Sequence, residues 1–413
     1  MFKKQLLVLM STVLLTFAGN VIAAKEPIKF GLTLDYTKAY VFATPSFGQA
    51  IEDYVKYVNM KGGIDGHPIE LLNSDHGNEP QRGIEAYERK KREGAIAFEH
   101  LSTPVSKAVL PKAMNDKVVM MQMLTGRADA ADGEVFPYIF PVSPTYWAMA
   151  ANIIQYIADN VKDIKKAKVA FTYLDYPFGQ EPIPIYKALS EELGFELKLF
   201  PISLPGTDQS GVWSNIRRFK PDYVISWSFA QLHNIAMTEM KRNRIPVDKY
   251  ISVIWISKND LKSYGFEKAK GVKRVEGVVT GTDSPIVQDI LKTLYDAGKG
   301  SGPRENVGLL YYMAAFTEMV TVVEGMRLGL EKYGAPLTSE KLKMGLESLK
   351  DFDAKGLMAP ITITPADHQG GGKTRIAEWD GSEWVPQSDW NAAYSDLVWR
   401  VIKEHSAKYK SGQ

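Results

Sequence analysis

The chain has 413 residues, with 50 Lys and Arg against 48 Asp and Glu, a formal charge of +2 and no cysteine. Without cysteine there is no disulfide, thiolate nucleophile, Cys-based metal site or lipid-modified anchor, and so even a charge balance speaks against a nucleic-acid surface, which carries a clustered basic stripe. At roughly 150 residues per domain, the length predicts two or three domains.

At the N-terminus, Lys3 and Lys4 precede an apolar run over residues 6–17, broken only by Ser11, Thr12 and Thr16. Val21, Ile22, Ala23 and Ala24 then supply small residues where a signal peptidase cuts. This order predicts a secretory signal peptide over residues 1–24, removed after Ala23 or Ala24, and hence an exported chain. The run is shorter than the roughly 20 residues of a bilayer span. No comparable run follows, so no membrane span is expected in the mature chain.

Strands and helices then alternate. Residues 28–34 read as a buried strand. Residues 48–60 read as an amphipathic helix with Ile51, Tyr54, Val55 and Val58 on one stripe, stopped by Gly62 and Gly63. Strands follow at 69–72, 95–101 and 118–123, with helices opened by Asn78-Glu79-Pro80 and by Ser102-Thr103-Pro104 between them. A second set comprises a helix at 146–160, strands at 168–173, 196–201, 223–227 and 250–256, and helices between them. Such alternation predicts βαβ units and parallel sheets covered on both faces. Eight units crowd a single sheet, so two lobes are expected, with the first change near residues 141–144. The C-terminal third departs from this pattern: a long helical stretch over 307–333, a helix at 339–349, and short strands at 361–364, 374–379 and 384–385.

Few residues suggest chemistry. The six histidines are scattered without metal spacing, and Asp65, His67, Asp75 and His76 read as solvated turn residues. Gly370-Gly371-Gly372-Lys373-Thr374 lacks the first glycine of a phosphate loop and the strand-to-helix context it needs. There is no Gly-x-Ser-x-Gly elbow. No metal, cofactor or catalytic residue is expected. Polar and aromatic residues do gather at strand C-terminal ends, where open α/β sheets bind ligands. Ser102 and Thr103 either cap a helix and nothing more, or offer hydroxyls and free N–H groups to a carboxylate. Tyr173, Tyr176 and Phe178 follow one strand, Trp227 and Phe229 another, and Trp255 a third. They are either core packing or the wall of an aromatic pocket.

These positions carry a resemblance. The segment Ile28-Lys29-Phe30-Gly31-Leu32, the run from Tyr57 through Asn59, Gly62, Gly63, Ile64 and Gly66, and Ile69-Glu70-Leu71-Leu72 with Asp75 resemble the opening of the leucine/isoleucine/valine-binding protein family, the type I periplasmic binding proteins of ABC importers. The similarity continues through Ser102-Thr103, residues 118–123, residues 175–179 and Pro221-Asp222-Tyr223-Val224, and reaches residues 307–329. It implies two doubly wound α/β lobes joined by a three-segment hinge, with residues 25–144 and 281–350 in one lobe and 145–280 and 351–413 in the other. Ligand would be trapped between the lobes on closure. It also implies a periplasmic location, a membrane permease as partner and a monomer.

The resemblance assigns ligand residues by position. Thr103, with Ser102 beside it, matches the carboxylate holder, and Leu124-Thr125-Gly126 match a loop offering backbone groups and a hydroxyl. Phe178 stands where the family has a tyrosine, next to Tyr176, and Trp227-Ser228-Phe229 match a loop over the ligand. Tyr36 and Tyr40 occupy a first-lobe loop that holds small residues in the family. Where amino-acid binders place an acid for the ligand's ammonium group, this chain reads Trp255-Ile256-Ser257-Lys258, with Asp260 the nearest acid. A buried ammonium needs a counter-charge. An aromatic or aliphatic acid therefore competes with a branched-chain amino acid as the expected ligand, and a ligand-sensing receptor on the same fold is the alternative role.

Overall fold

A computed structural model of the protein describes residues 25–124 and 126–412; the expected signal peptide and Thr125 lie outside the described residues. Five parallel strands form the first sheet: β1 (Ile28–Leu34), β2 (Ile69–Asp75), β3 (Ala97–Glu99), β4 (Val119–Met121) and β5 (Ile139–Phe140), in the order β2-β1-β3-β4-β5. β1 is buried along nearly its whole length, as expected of a strand covered on both faces. Gly31 is required within it, because a Cβ there would lie 2.4 Å from the Phe98 ring of β3.

The second sheet has seven strands. β6 (Lys168–Leu174), β7 (Glu196–Ile202), β8 (Tyr223–Trp227), β9 (Tyr250–Ser252) and β10 (Lys273–Glu276) are parallel, and β11 (Arg375–Trp379) and β12 (Trp384–Pro386) add an antiparallel edge. The order is β12-β11-β10-β9-β8-β6-β7. The molecule is thus two α/β lobes, and the chain passes between the sheets three times. It crosses after β5, crosses back after β10 to the helix Leu310–Tyr333, and returns after the helix Ser339–Leu346 to β11.

Several local expectations are corrected. Residues 361–364 form only isolated bridges, Phe352 with Ile361 and Thr364 with Asp367. Gly370 and Gly371 turn around the Asp367 carboxylate, which accepts the N–H groups of Gln369, Gly370 and Gly371 at 2.9 to 3.0 Å. His67 and His76 are buried rather than solvated. His76 Nδ1 accepts the Asn78 N–H at 2.9 Å, so Nε2 carries the proton donated to the His100 carbonyl, also at 2.9 Å. Elements not anticipated include β5, β10, the helix Pro285–Ile290 and the final helix, Ser395–Lys410.

The helix Leu310–Tyr333 packs on Thr44–Met60 and on Ser339–Leu346. Its approach to the latter depends on three glycines: a Cβ on Gly345 would lie 2.0 Å from the Gly325 carbonyl, and one on Gly329 2.7 Å from the Lys341 carbonyl. Backbone cannot yield as a flexible side chain does. Gly345→Ala should therefore push the helices apart and destabilise by about 1–3 kcal/mol, read as a lowered thermal midpoint; an unchanged midpoint would show that this contact slides freely.

Candidate functional site

The C-terminal ends of both sheets face each other across the crossovers, the location where open α/β sheets place ligands. In the first lobe, Asp35 folds the segment after β1 back on itself. Its carboxylate accepts the N–H groups of Thr37 at 3.2 Å and of Lys38 and Tyr40 at 2.8 Å. That turn brings Tyr40, Phe42 and Ala43 to the cleft. After β3, Ser102 caps the helix Thr103–Asp116 through the Val105 N–H at 3.3 Å and donates to Asn78 Oδ1 at 2.7 Å. Thr103 is the first helical residue, and its hydroxyl has no partner among the described residues. The second lobe contributes Tyr146 from the start of the helix Tyr146–Asn160, Phe178 after β6, Phe229 after β8 and Trp255 after β9.

Together with Leu101 these side chains enclose a cavity of ≈ 20 Å³, room for about one water. Rings from the two lobes fill the rest. Phe42 stacks on Phe229 with centroids 4.7 Å apart, and Trp255 stacks on Tyr311 at 6.0 Å. Polar contacts also join the lobes: Tyr40 to Tyr176 through their hydroxyls at 3.0 Å, and the Tyr311 hydroxyl to Asp260 at 2.7 Å. Buried Glu181 accepts from Lys107 Nζ at 2.9 Å and from the Ala128 N–H at 2.7 Å. Burial raises the Glu181 carboxyl, and Lys107 works against that shift. The two lobes are therefore in direct contact across the cleft.

Among the described residues, no charged side chain lines the cavity. Its polar atoms are the Thr103 and Tyr40 hydroxyls and the Tyr146 hydroxyl, which accepts the Trp255 indole N–H at 2.7 Å. Burial holds both tyrosines as neutral phenols, far above their ordinary range. Asp260, the nearest acid in the sequence, lies outside the lining. It forms a capping box with Ser257, accepts from Tyr311, and is raised chiefly by burial.

Of the residues expected at the site, Tyr40, Thr103, Phe178, Phe229 and Trp255 line the cavity. Ser102 lies beneath it as the helix cap, and Tyr176 reaches its edge through Tyr40. Trp227 is one layer behind, edge-on to Tyr146 at 5.3 Å, and Ser228 is buried beside it; the Trp227 indole N–H and the Ser228 hydroxyl have no partner among the described residues. Leu124 and Gly126 each have a left-handed backbone, at φ of 57° and 79°, and neither is part of the lining. Tyr36 is 36% exposed on the outer surface, its N–H bonded to Asp75. The lining residues that sequence reasoning passed over are Phe42, Ala43, Leu101 and Tyr146. Only Leu101, directly before Ser102, had a positional signal.

The model of one protein family, described as Periplasmic binding protein, matches residues 27–383. No curated protein matches the chain. Among solved structures, a protein from the Pseudomonas fluorescens group described as an ABC transporter permease is 31% identical, with a TM-score of 0.85 over 94% of this chain and 97% of its own. A branched-chain amino acid ABC transporter protein from Thermus thermophilus, with bound valine, is 18% identical with a TM-score of 0.79, over 91% of this chain and 98% of its own. A solute-binding protein from R. palustris in complex with benzoate is 16% identical with a TM-score of 0.72, over 89% and 98%. The last two share the fold. With the family model spanning most of its length and two parallel-sheet lobes closing on a cleft, the chain belongs to the periplasmic binding proteins of type I, the leucine/isoleucine/valine-binding protein family.

Proposed function

We propose that this chain is the solute-binding component of an ABC importer and captures a small apolar or aromatic carboxylate by closing its lobes, without turnover. The observation that carries the ligand class is the lining: aromatic walls, hydroxyls and a helix start, with no acid among the described residues to neutralise an ammonium group. Thr103 and the free N–H groups of its helix turn would hold the carboxylate, and Phe42, Phe178, Phe229 and Trp255 would enclose the apolar part. The solved relatives bound to valine and to benzoate are of this size class. Export by residues 1–24, a monomeric state, a permease partner and a lobe division at residues 144, 280 and 350 belong to the same reading.

A thermal-shift screen of aromatic and aliphatic acids against amino acids finds the ligand class, because a ligand well above its Kd raises the midpoint. With the best acid in hand, Thr103→Ala should weaken binding by about 1–3 kcal/mol in calorimetry, as for a hydrogen bond to a charged group. Unchanged affinity would remove Thr103 from the site.

A further inference from the structure

Directly behind the Thr103 turn lies a pair of carboxyl groups that the ligand reading does not use. Glu99 ends β3, in register with Leu32 of β1, and is fully buried. Glu318 belongs to the helix Leu310–Tyr333 and is equally buried. Glu99 Oε1 accepts the Leu101 N–H. Leu101 lines the cavity and has a φ of 40°, a left-handed conformation that a non-glycine residue keeps only where its surroundings over-determine it. Two residues further on is Thr103.

The other three oxygens, Glu99 Oε2 and both of Glu318, have no donor among the described residues. Among the described residues the facing side chains offer none, although the His100 backbone N–H, like that of Leu101, works against the burial shift of Glu99. His100 points to the opposite side of β3, where its ring meets the Thr33 hydroxyl. Asp53, on the helix that packs against Leu310–Tyr333, accepts from Tyr295, Tyr312 and the Ser301 N–H. Among the described residues, the charged side chain beside Glu318 is Glu99, and no cation lies beside either. Two adjacent buried carboxylates without a cation do not both ionise. One arrangement pairs two of these three oxygens: Glu318 keeps a proton on one oxygen and donates it to Glu99 Oε2, while Glu99 Oε1 takes the Leu101 N–H.

We propose that Glu99 and Glu318 are positioning residues of the ligand site, sharing a proton so that the Glu99 carboxyl fixes the Leu101 turn that presents Thr103. The consequence for affinity rests on the ligand reading above; the pair itself does not. Burial pushes the Glu99 carboxyl up to about 7, and burial with repulsion from Glu99 raises Glu318 well above the carboxylate range. A folded state that keeps protons the unfolded chain has released loses stability as pH rises. For Glu99 that loss runs from the ordinary carboxylate range up to about 7.

The test uses the full chain without ligand. Wild type should show a protonated-carboxyl infrared band at neutral pH that is weakened in Glu318→Gln. The Leu101 amide should exchange about tenfold faster in Glu99→Leu, which loses the acceptor, and near the wild-type rate in Glu99→Gln, which keeps it. Between about pH 5 and 8 the melting midpoint should fall further in wild type than in Glu318→Gln. No protonated band, or the same Leu101 exchange in all variants, overturns the proposal. If Glu99→Leu does not fold, the infrared comparison and the pH dependence of Glu318→Gln decide alone. Should these results hold while Thr103→Ala binds normally, the carboxylate assignment fails and the proton-sharing pair stands.

Discussion

Replacing Arg274 with methionine should lower the unfolding free energy by about 3 kcal/mol, the lower end of what breaking a buried ion pair costs. Arg274 lies in β10 with its side chain 1% exposed and faces Glu276, which is 2% exposed. It donates to Glu276 through Nε at 3.0 Å and through Nη2, and gives Nη1 to the Ile256 carbonyl at 2.9 Å. Its guanidinium also lies 4.3 Å from the centre of the Trp384 ring, which ties β10 to the antiparallel edge. Methionine fills the volume but leaves the Glu276 charge buried with Arg375 as its remaining partner, 2.9 Å away. That partner keeps the expected loss from the upper end. Urea unfolding of the single variant and of the Arg274→Met/Glu276→Leu pair separates the terms. Removing both charges should recover much of the loss, because the single variant suffers mainly from the stranded carboxylate. A single variant within 1 kcal/mol of wild type would show that water reaches Glu276. Since Ile256 follows Trp255, the same variant should also disturb the wall of the cavity.

Arg274 also shows why part of the fold was not legible. The parallel strands announce themselves as apolar runs because both faces are covered; β1, β6 and β8 are of this kind. β10 reads Lys-Arg-Val-Glu and looks like a surface turn, yet all four residues are buried. Its charges are paired within the fold, Lys273 with Glu378 and Arg274 with Glu276. Hydropathy cannot report a burial that depends on partners distant in sequence. β5, two residues long, is too short to show any period.

The site divides in the same way. Thr103, Phe178 and Trp255 sit directly at strand ends, where topology alone places them. Phe42 and Tyr146 reach the cavity through longer-range events: the turn gathered by Asp35, and the entry angle of the chain after its first crossing. Tyr36 and Tyr40 are equivalent by composition. The Asp35 turn decides between them, sending Tyr40 inward and leaving Tyr36 outside.

An α-amino acid should bind roughly a hundredfold more weakly than its deaminated counterpart, phenylalanine against 3-phenylpropanoate for instance, a gap of about 3 kcal/mol. The two share the ring, the chain and the carboxylate, so the aromatic wall and the Thr103 turn treat them alike. They differ in one ammonium group, which on closure would leave water for a lining of rings and hydroxyls without a carboxylate. Hydroxyl oxygens of Tyr40 and Tyr146 would solvate it in part, which keeps the gap well below the full cost of burying a bare charge. Calorimetry on both compounds at one pH gives the difference directly. Equal affinity would mean that an acid reaches the ligand after all, and the geometry names it. Asp260 would have to exchange the Tyr311 hydroxyl for the ammonium as the lobes close. Asp260→Asn decides that case: it should then weaken phenylalanine alone, whereas a cavity without a counter-charge leaves the preference for the acid unchanged.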